Sequence, residues 1–299
     1  MLYKIKNYLF HKLGLLFFKQ GLSLDYILYN FFYKKFIIKN VRENNWTKKL
    51  YNSGYSRLEI SAFDLVNDLK KKIVLDDEQN KINNPTTNRI KRFKFLDKNV
   101  ELDFIKKLKV KLEPIFNDLK KYYNCKVDLA EIRLFRIENY QTTDLKNELY
   151  SNNFHQDGYI LNYSKIFINL MDVGIKDGPL EIVPIEKKRK FIKSSNFKNR
   201  YEYKTSGYEN LIFKNTGRIG DCTLFSSTEV FHRATIPENY RDMAQLIVFA
   251  APEEILQKVI PDDENLLKPN QQLRKYSKPF SLLSLIKFYF RIRRNNYSI

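Results

Sequence analysis

The chain has 299 residues, 43% of them apolar or aromatic, which is enough for a large buried core and excludes a disordered or low-complexity protein. Its formal charge of +19 is unevenly placed: residues 1–40 hold seven Lys against Asp25 (+6), residues 268–299 hold eight Lys or Arg and no acid (+8), and the remainder carries +5. The middle of the chain is therefore only mildly basic, no nucleic-acid partner is expected, and the two distant cysteines, Cys125 and Cys222, fit neither a disulfide framework nor a zinc site but suit a reducing, cytoplasmic setting.

Residues 1–50 read as helical and aromatic, with Leu13, Leu16 and Phe17, then Ile27, Leu28, Phe31, Phe32 and Phe36, at helix-like spacing. Lys4, Lys6, Lys12 and Lys19 interrupt the apolar stretches, so neither a membrane span nor a signal peptide is expected. Ser61 is a candidate N-cap for a helix with the stripe Ala62, Leu65, Val66, Leu69 and Ile73, and Asn83-Asn84-Pro85 marks a loop. Ile105, Leu108, Leu112, Ile115, Leu119 and Tyr122 predict a longer helix, kinked at Pro114. Residues 1–124 thus read as a mainly helical N-terminal region.

From residue 125 the pattern becomes strand-like. VDLAEIRLFRIENY, KIFINLMDV, PLEIVP, DCTLFSS, EVFHRATI and RDMAQLIVFAAP are short, rich in Val, Ile, Phe and Thr, and separated by turn signals such as Asp177-Gly178-Pro179 and Pro237-Glu238-Asn239. Most are too close together for a helical crossover, so residues 125–252 predict an antiparallel sandwich or barrel. A basic insertion at 186–210 reads as a loop near an opening of that barrel. Residues 253–299 form a basic C-terminal extension, with FSLLSLIKFYFRIRR at 280–294, and the whole is expected to make one globular domain.

The chain has only three histidines, and two of them carry the sharpest signal: His155-Gln156-Asp157, with His232 following much later in the chain. On an extended segment alternate side chains share a side, so His155 and Asp157 can reach one ion while Gln156 turns away. A second imidazole from a neighbouring strand completes two nitrogens and one carboxylate, a facial set that suits iron(II) and leaves positions open, whereas zinc would usually close the site. Arg241, nine residues after His232 at the start of a strand, can enter the same cavity, and its planar fork suits the distal carboxylate of a dicarboxylic acid. Arg233 would point to the opposite face. Arg133 and Arg136 lie on opposite faces of one strand and either could contact an anionic substrate, but both read first as solvated charges on an edge strand, and His11 is not expected to be a ligand.

The runs FHQDGY, INLMDVGIKDGPLEIVP and GDCTLFSSTEVFHRATIPENYR together resemble the phytanoyl-CoA dioxygenase family of iron(II)/2-oxoglutarate oxygenases, over Phe154–Pro252, 99 of the 299 residues. The resemblance implies an α+β protein with a double-stranded β-helix (jelly-roll, cupin-like) core and N-terminal helices packed on it. It implies iron bound by His155, Asp157 and His232, and 2-oxoglutarate bound by Arg241. Asn169, the polar side chain in the apolar strand KIFINLMDV, is either a second contact to 2-oxoglutarate or an Asn satisfied by backbone at a strand irregularity. The implied activity is a dioxygenase that hydroxylates a small molecule and releases succinate and carbon dioxide; Asp157 argues against a halogenase. Two departures bear on substrate or cosubstrate detail: Ile185-Glu186-Lys187 follows Pro184, and Met243 stands two residues after Arg241. The rival reading is an inactive scaffold of the same fold that meets an anionic membrane surface or a partner through its basic ends. Intact ligands and an intact Arg241 favour the enzyme.

Overall fold

The computed structural model describes residues 45–76, 90–139, 151–157, 163–251 and 253–276. The helices expected before residue 45, His11, the loop at Asn83-Asn84-Pro85 and the basic stretch 280–294 lie outside the described residues.

In chain order the elements are α1 (Asn45–Ser53), β1 (Tyr55–Ser61), α2 (Phe63–Lys70), β2 (Ile73–Leu75), β3 (Ile90–Phe95), α3 (Lys98–Tyr123), β4 (Lys126–Glu138), β5 (Tyr163–Asn169) and β6 (Leu180–Val183). There follow α4 (Lys188–Ser195), β7 (Phe213–Lys214), β8 (Asp221–Phe225), β9 (Phe231–Ala234), β10 (Tyr240–Ala251), α5 (Glu253–Val259) and α6 (Gln271–Tyr276). Among the described residues the strands form a seven-stranded sheet, β1-β8-β5-β10-β4-β3-β2, and a three-stranded sheet, β7-β6-β9. Every pairing between these strands is antiparallel. This is the α+β, jelly-roll arrangement of two antiparallel sheets enclosing a cavity, with helices on the outer face of the larger one.

The long helix α3 forms where its stripe predicts. Asp97 caps it, accepting from the backbone N–H groups of Asn99 at 2.7 Å and Val100 at 3.2 Å, and Asn124 ends it in the left-handed conformation. Ile105, Leu108, Leu112, Ile115, Leu119 and Tyr122 are all buried, and Pro114 is contained within the helix. They pack with Trp46 and Leu50 of α1 and Val66 and Leu69 of α2 onto Leu129, Ile132, Leu134, Ile166, Ile168, Leu224, Ala244, Leu246 and Val248. Each fully buried Leu or Ile there contributes roughly 1.5–3 kcal/mol.

Three expectations are refined or corrected. The region up to residue 124 is not helical alone: among the described residues it is mostly helix but also supplies β1, β2 and β3, two of which lie at the edges of the large sheet. α2 ends at Lys70, so Ile73 belongs to a strand, and the N-cap of the helix is Ala62 and not Ser61, which sits one residue earlier and accepts a hydrogen bond from the Phe63 N–H at 3.2 Å. The insertion at 186–210 is not an open loop: it contains α4, and Phe191, Ile192, Phe197, Tyr203 and Tyr208 are buried together against Phe154 and Phe231. Its basic residues masked an aromatic stripe that has a surface to bury.

Candidate metal centre

The site begins with a short backbone pairing. His155 and His232 face one another in an isolated antiparallel bridge, the His155 N–H donating to the His232 carbonyl at 3.1 Å and the His232 N–H to the His155 carbonyl at 2.9 Å. Residues so paired project their side chains to the same side. Two residues on, the Asp157 N–H donates to the Ser227 carbonyl at 2.9 Å and keeps the segment extended. Alternation then acts as the sequence predicts. Gln156 turns away and donates to the carbonyls of Thr228 and Glu229 at 3.0 Å each. Phe154 and Phe231, the neighbours of the two histidines, point into the aromatic cluster formed with the 186–210 insertion.

The three candidate ligands converge. His155 Nε2 is 3.6 Å and His232 Nε2 3.8 Å from Asp157 Oδ1, and one donor atom from each residue lies within 4.8 Å of the others. Side-chain movement of a few tenths of an ångström would bring all three to about 2.0–2.2 Å from one divalent ion. Each ring has Nδ1 beside a backbone carbonyl, Asn153 at 2.8 Å for His155 and Val230 at 3.2 Å for His232. A proton held on Nδ1 by that contact leaves the Nε2 lone pair for a metal.

The electrostatics favour the ligating protonation states. Burial, reinforced by the neighbouring His155, pushes the His232 pKa well below its ordinary value and keeps the ring neutral. Burial pushes the Asp157 carboxyl up, but Lys165 and the two imidazoles outweigh it and hold the group well below the usual carboxylate range. Lys165 Nζ lies 2.6 Å from Asp157 Oδ2, on the side of the carboxylate away from the histidines.

The ligands open onto a cavity of about 200 Å³ between the two sheets, lined by β4, β5 and β10 on one side and by Leu180, His232 and Ala234 on the other. β10 contributes Arg241, Met243 and Gln245, alternate residues of one face. Arg241 is 2% exposed, so its guanidinium is carried inside the protein at the wall of this cavity. Arg233 lies elsewhere as expected, bound to Glu181 at 2.7–2.8 Å with its guanidinium over Phe154.

Asn169 does not join the cavity lining. It follows Lys165 and Phe167 on the same face of β5 but lies at the end of the strand, where its amide donates to the Arg218 carbonyl at 3.4 Å beside Gly217. β4 is not an edge strand, since β10 and β3 flank it. Arg136 pairs with Asp242 at 2.7 and 2.8 Å and stacks on Tyr240, while Arg133 lines the cavity with its Nε 2.5 Å from Glu131 Oε1. Lys165 and Gln245 are the cavity residues that the sequence pattern underweights. Each breaks a largely apolar run, Lys165 just before Ile166-Phe167-Ile168 and Gln245 between Ala244 and Leu246, and that break is the available signal.

No family model matches the sequence, and no curated protein matches it. Among solved structures the chain is similar to EctD from S. alaskensis with 2-oxoglutarate and 5-hydroxyectoine, at 16% identity over 82% of this chain and 90% of that one, TM-score 0.46. It is also similar to HygX from Streptomyces hygroscopicus with nickel and 2-oxoglutarate bound, at 13% identity over 69% and 87%, TM-score 0.43. A third is SnoN, a non-heme alpha ketoglutarate dependent epimerase from nogalamycin biosynthesis, at 14% identity over 68% and 81%, TM-score 0.42. Similarity this distant leaves the reading of the site to its own residues.

Proposed function

We propose that this chain is an iron(II)/2-oxoglutarate-dependent oxygenase of the phytanoyl-CoA dioxygenase type, hydroxylating a small molecule. The observation that supports this best is the convergence of two imidazoles and one carboxylate at a cavity whose wall also carries a buried arginine. The donor set fits iron(II): three protein ligands on one side leave the remaining positions to other molecules. When bound, the iron and its cosubstrate supply oxidation by dioxygen coupled to release of succinate and carbon dioxide.

The protein's part is placement and exclusion. His155, His232 and Asp157 would hold the metal, and Arg241 would receive the far carboxylate of 2-oxoglutarate through its N–H donors. Phe135, Ile137, Phe167, Leu180 and Met243 form the apolar part of the lining and keep water from competing for the polar groups. Purified protein given iron(II), 2-oxoglutarate and pools of candidate metabolites should release succinate above its substrate-free rate. No metal binding by calorimetry, together with no succinate from any pool, would refute the oxygenase and leave the scaffold reading.

A cytoplasmic location and peripheral contact of residues 1–40 and 280–294 with anionic membrane belong to the same proposal. Among the described residues no helix is long and apolar enough to cross a membrane. Co-sedimentation with anionic vesicles at low and high salt tests the contact, which should weaken as the Debye length shrinks from about 10 Å at 0.1 M to 3 Å at 1 M.

A further inference from the structure

The cavity has more positive charge than the proposed metal and cosubstrate can answer. A divalent metal is balanced by Asp157 and the near carboxylate of 2-oxoglutarate, and Arg241 by the far carboxylate. Arg133 is balanced by Glu131, whose Oε1 lies 2.5 Å from its Nε. Lys165 is left over. Its side chain is only 12% exposed and its one carboxylate contact among the described residues, Asp157 Oδ2 at 2.6 Å, belongs to the residue whose charge a metal would draw on. An ammonium held in so dry a place needs a counter-charge.

A second donor stands beside it. Gln245 is 3% exposed, lines the cavity, and its Nε2 has no hydrogen-bond partner among the described residues. Gln245 sits opposite Phe167 on β5 and opposite Arg133 on β4, so Lys165, two residues before Phe167, is its diagonal neighbour. Diagonal neighbours have Cα atoms roughly 7–8 Å apart, a gap that long side chains close onto one small group. Lys165, Gln245 and Arg133 therefore form a row of donors across three adjacent strands. Arg241 lies four residues away along β10, roughly 13 Å at the rise of an extended strand, so the row is separate from it.

We propose that this row is a second anion subsite and that the substrate is a carboxylic acid, its carboxylate held by Lys165 Nζ and Gln245 Nε2 close to the metal. The proposal rests on the oxygenase reading above. An ammonium and one amide N–H match the two oxygens of a carboxylate. The matched amide of the same acid would bring no charge for Lys165 and would present an NH2 to a row made of donors.

The test uses full-length protein saturated with Mn(II) and 2-oxoglutarate, with saturation first measured by calorimetry. The loaded protein is then screened by thermal shift against a set of small carboxylic acids and their matched primary amides; excess 2-oxoglutarate keeps the acids off Arg241. The expected result is stabilisation by a subset of acids, with the matched amides at least about tenfold weaker. Lys165→Met and Gln245→Leu should each abolish that preference, and Lys165→Arg should keep it. If Lys165→Met fails to fold by its own melting curve, Gln245→Leu and Lys165→Arg carry the comparison. Amides equal to acids throughout, no acid binding at all, or an acid preference surviving in folded Lys165→Met or Gln245→Leu would overturn the subsite. Failure to bind Mn(II) and 2-oxoglutarate in the first step would instead refute the oxygenase reading.

Discussion

The two faces of β10 show what one strand is asked to do. Ala244, Leu246, Val248 and Ala250 lie in the dry core beneath α1, α2 and α3, whereas Arg241, Met243 and Gln245 line the cavity. Neighbouring side chains only one residue apart therefore meet opposite demands: one face must exclude every polar atom, and the other must hold a guanidinium and an amide away from bulk water. Packing on the first face supplies stability that offsets the second, because taking polar groups out of water carries a desolvation cost.

The largest expected effect breaks the cavity side alone. His232→Ala should lower metal affinity by more than about 100-fold, since removal even of a group that merely orients a ligand commonly costs 10–100-fold. Titration calorimetry with Fe(II) under anaerobic conditions checks it, and turnover should vanish with binding.

Breaking the other face should do the reverse. Leu246→Ala, at a position with 0% exposure in the helix-covered core, should cost about 2–5 kcal/mol in urea unfolding while the folded variant still binds one metal. Equal loss of metal affinity and stability would show that the two faces are not independent.

Arg241→Lys sharpens the contrast within the cavity. Replacing a two-point fork by a single-point ammonium should weaken 2-oxoglutarate binding by about tenfold or more and leave metal affinity nearly unchanged. Unchanged 2-oxoglutarate affinity would move the assignment to Arg133 or Lys165, which line the same cavity.

The smallest effect is a pH dependence of the metal-free protein. Burial keeps the folded His232 pKa well below its ordinary value of about 6.5. The unfolded chain thus takes up a proton below about pH 6.5 that the folded chain refuses, so stability should decline as pH falls from there toward the folded value. Asp157, also depressed, contributes stability above about pH 3.9 that is lost only as pH falls through its lower folded value. Urea midpoints from pH 8 to pH 5 should fall for the wild type and flatten in His232→Ala.

Much of this is legible in the sequence because it depends on local pattern. The spacing of His155 and Asp157 places both on one side and Gln156 on the other, and β4, β5, β6, β8, β9 and β10 all overlap the segments whose β-branched and aromatic residues and turn signals predict strands. Elements whose burial depends on distant partners are not legible. β3, with the sequence IKRFKF, is half charged and owes its place to pairing with β4; β1 is defined by pairing with β8, which comes much later in the chain. Asn169 shows a related limit: parity gives the face but not how far along the strand the cavity reaches, and its amide meets a backbone carbonyl there. The helix within 186–210 is hidden because its lysines dominate the composition while Phe191 and Ile192 do the packing.

The paired backbones of His155 and His232 also constrain how the chain can vary in length. With both bridge hydrogen bonds fixed, adding or deleting one residue between Ser227 and His232 would bring Phe231 or Arg233 into the ligand position and send the imidazole to the aromatic side. Two residues would restore the face but not the bridge. Length changes should instead accumulate where parity carries no message, such as the exposed 204–207 stretch, where a side chain on Gly207 would meet nothing within 4 Å.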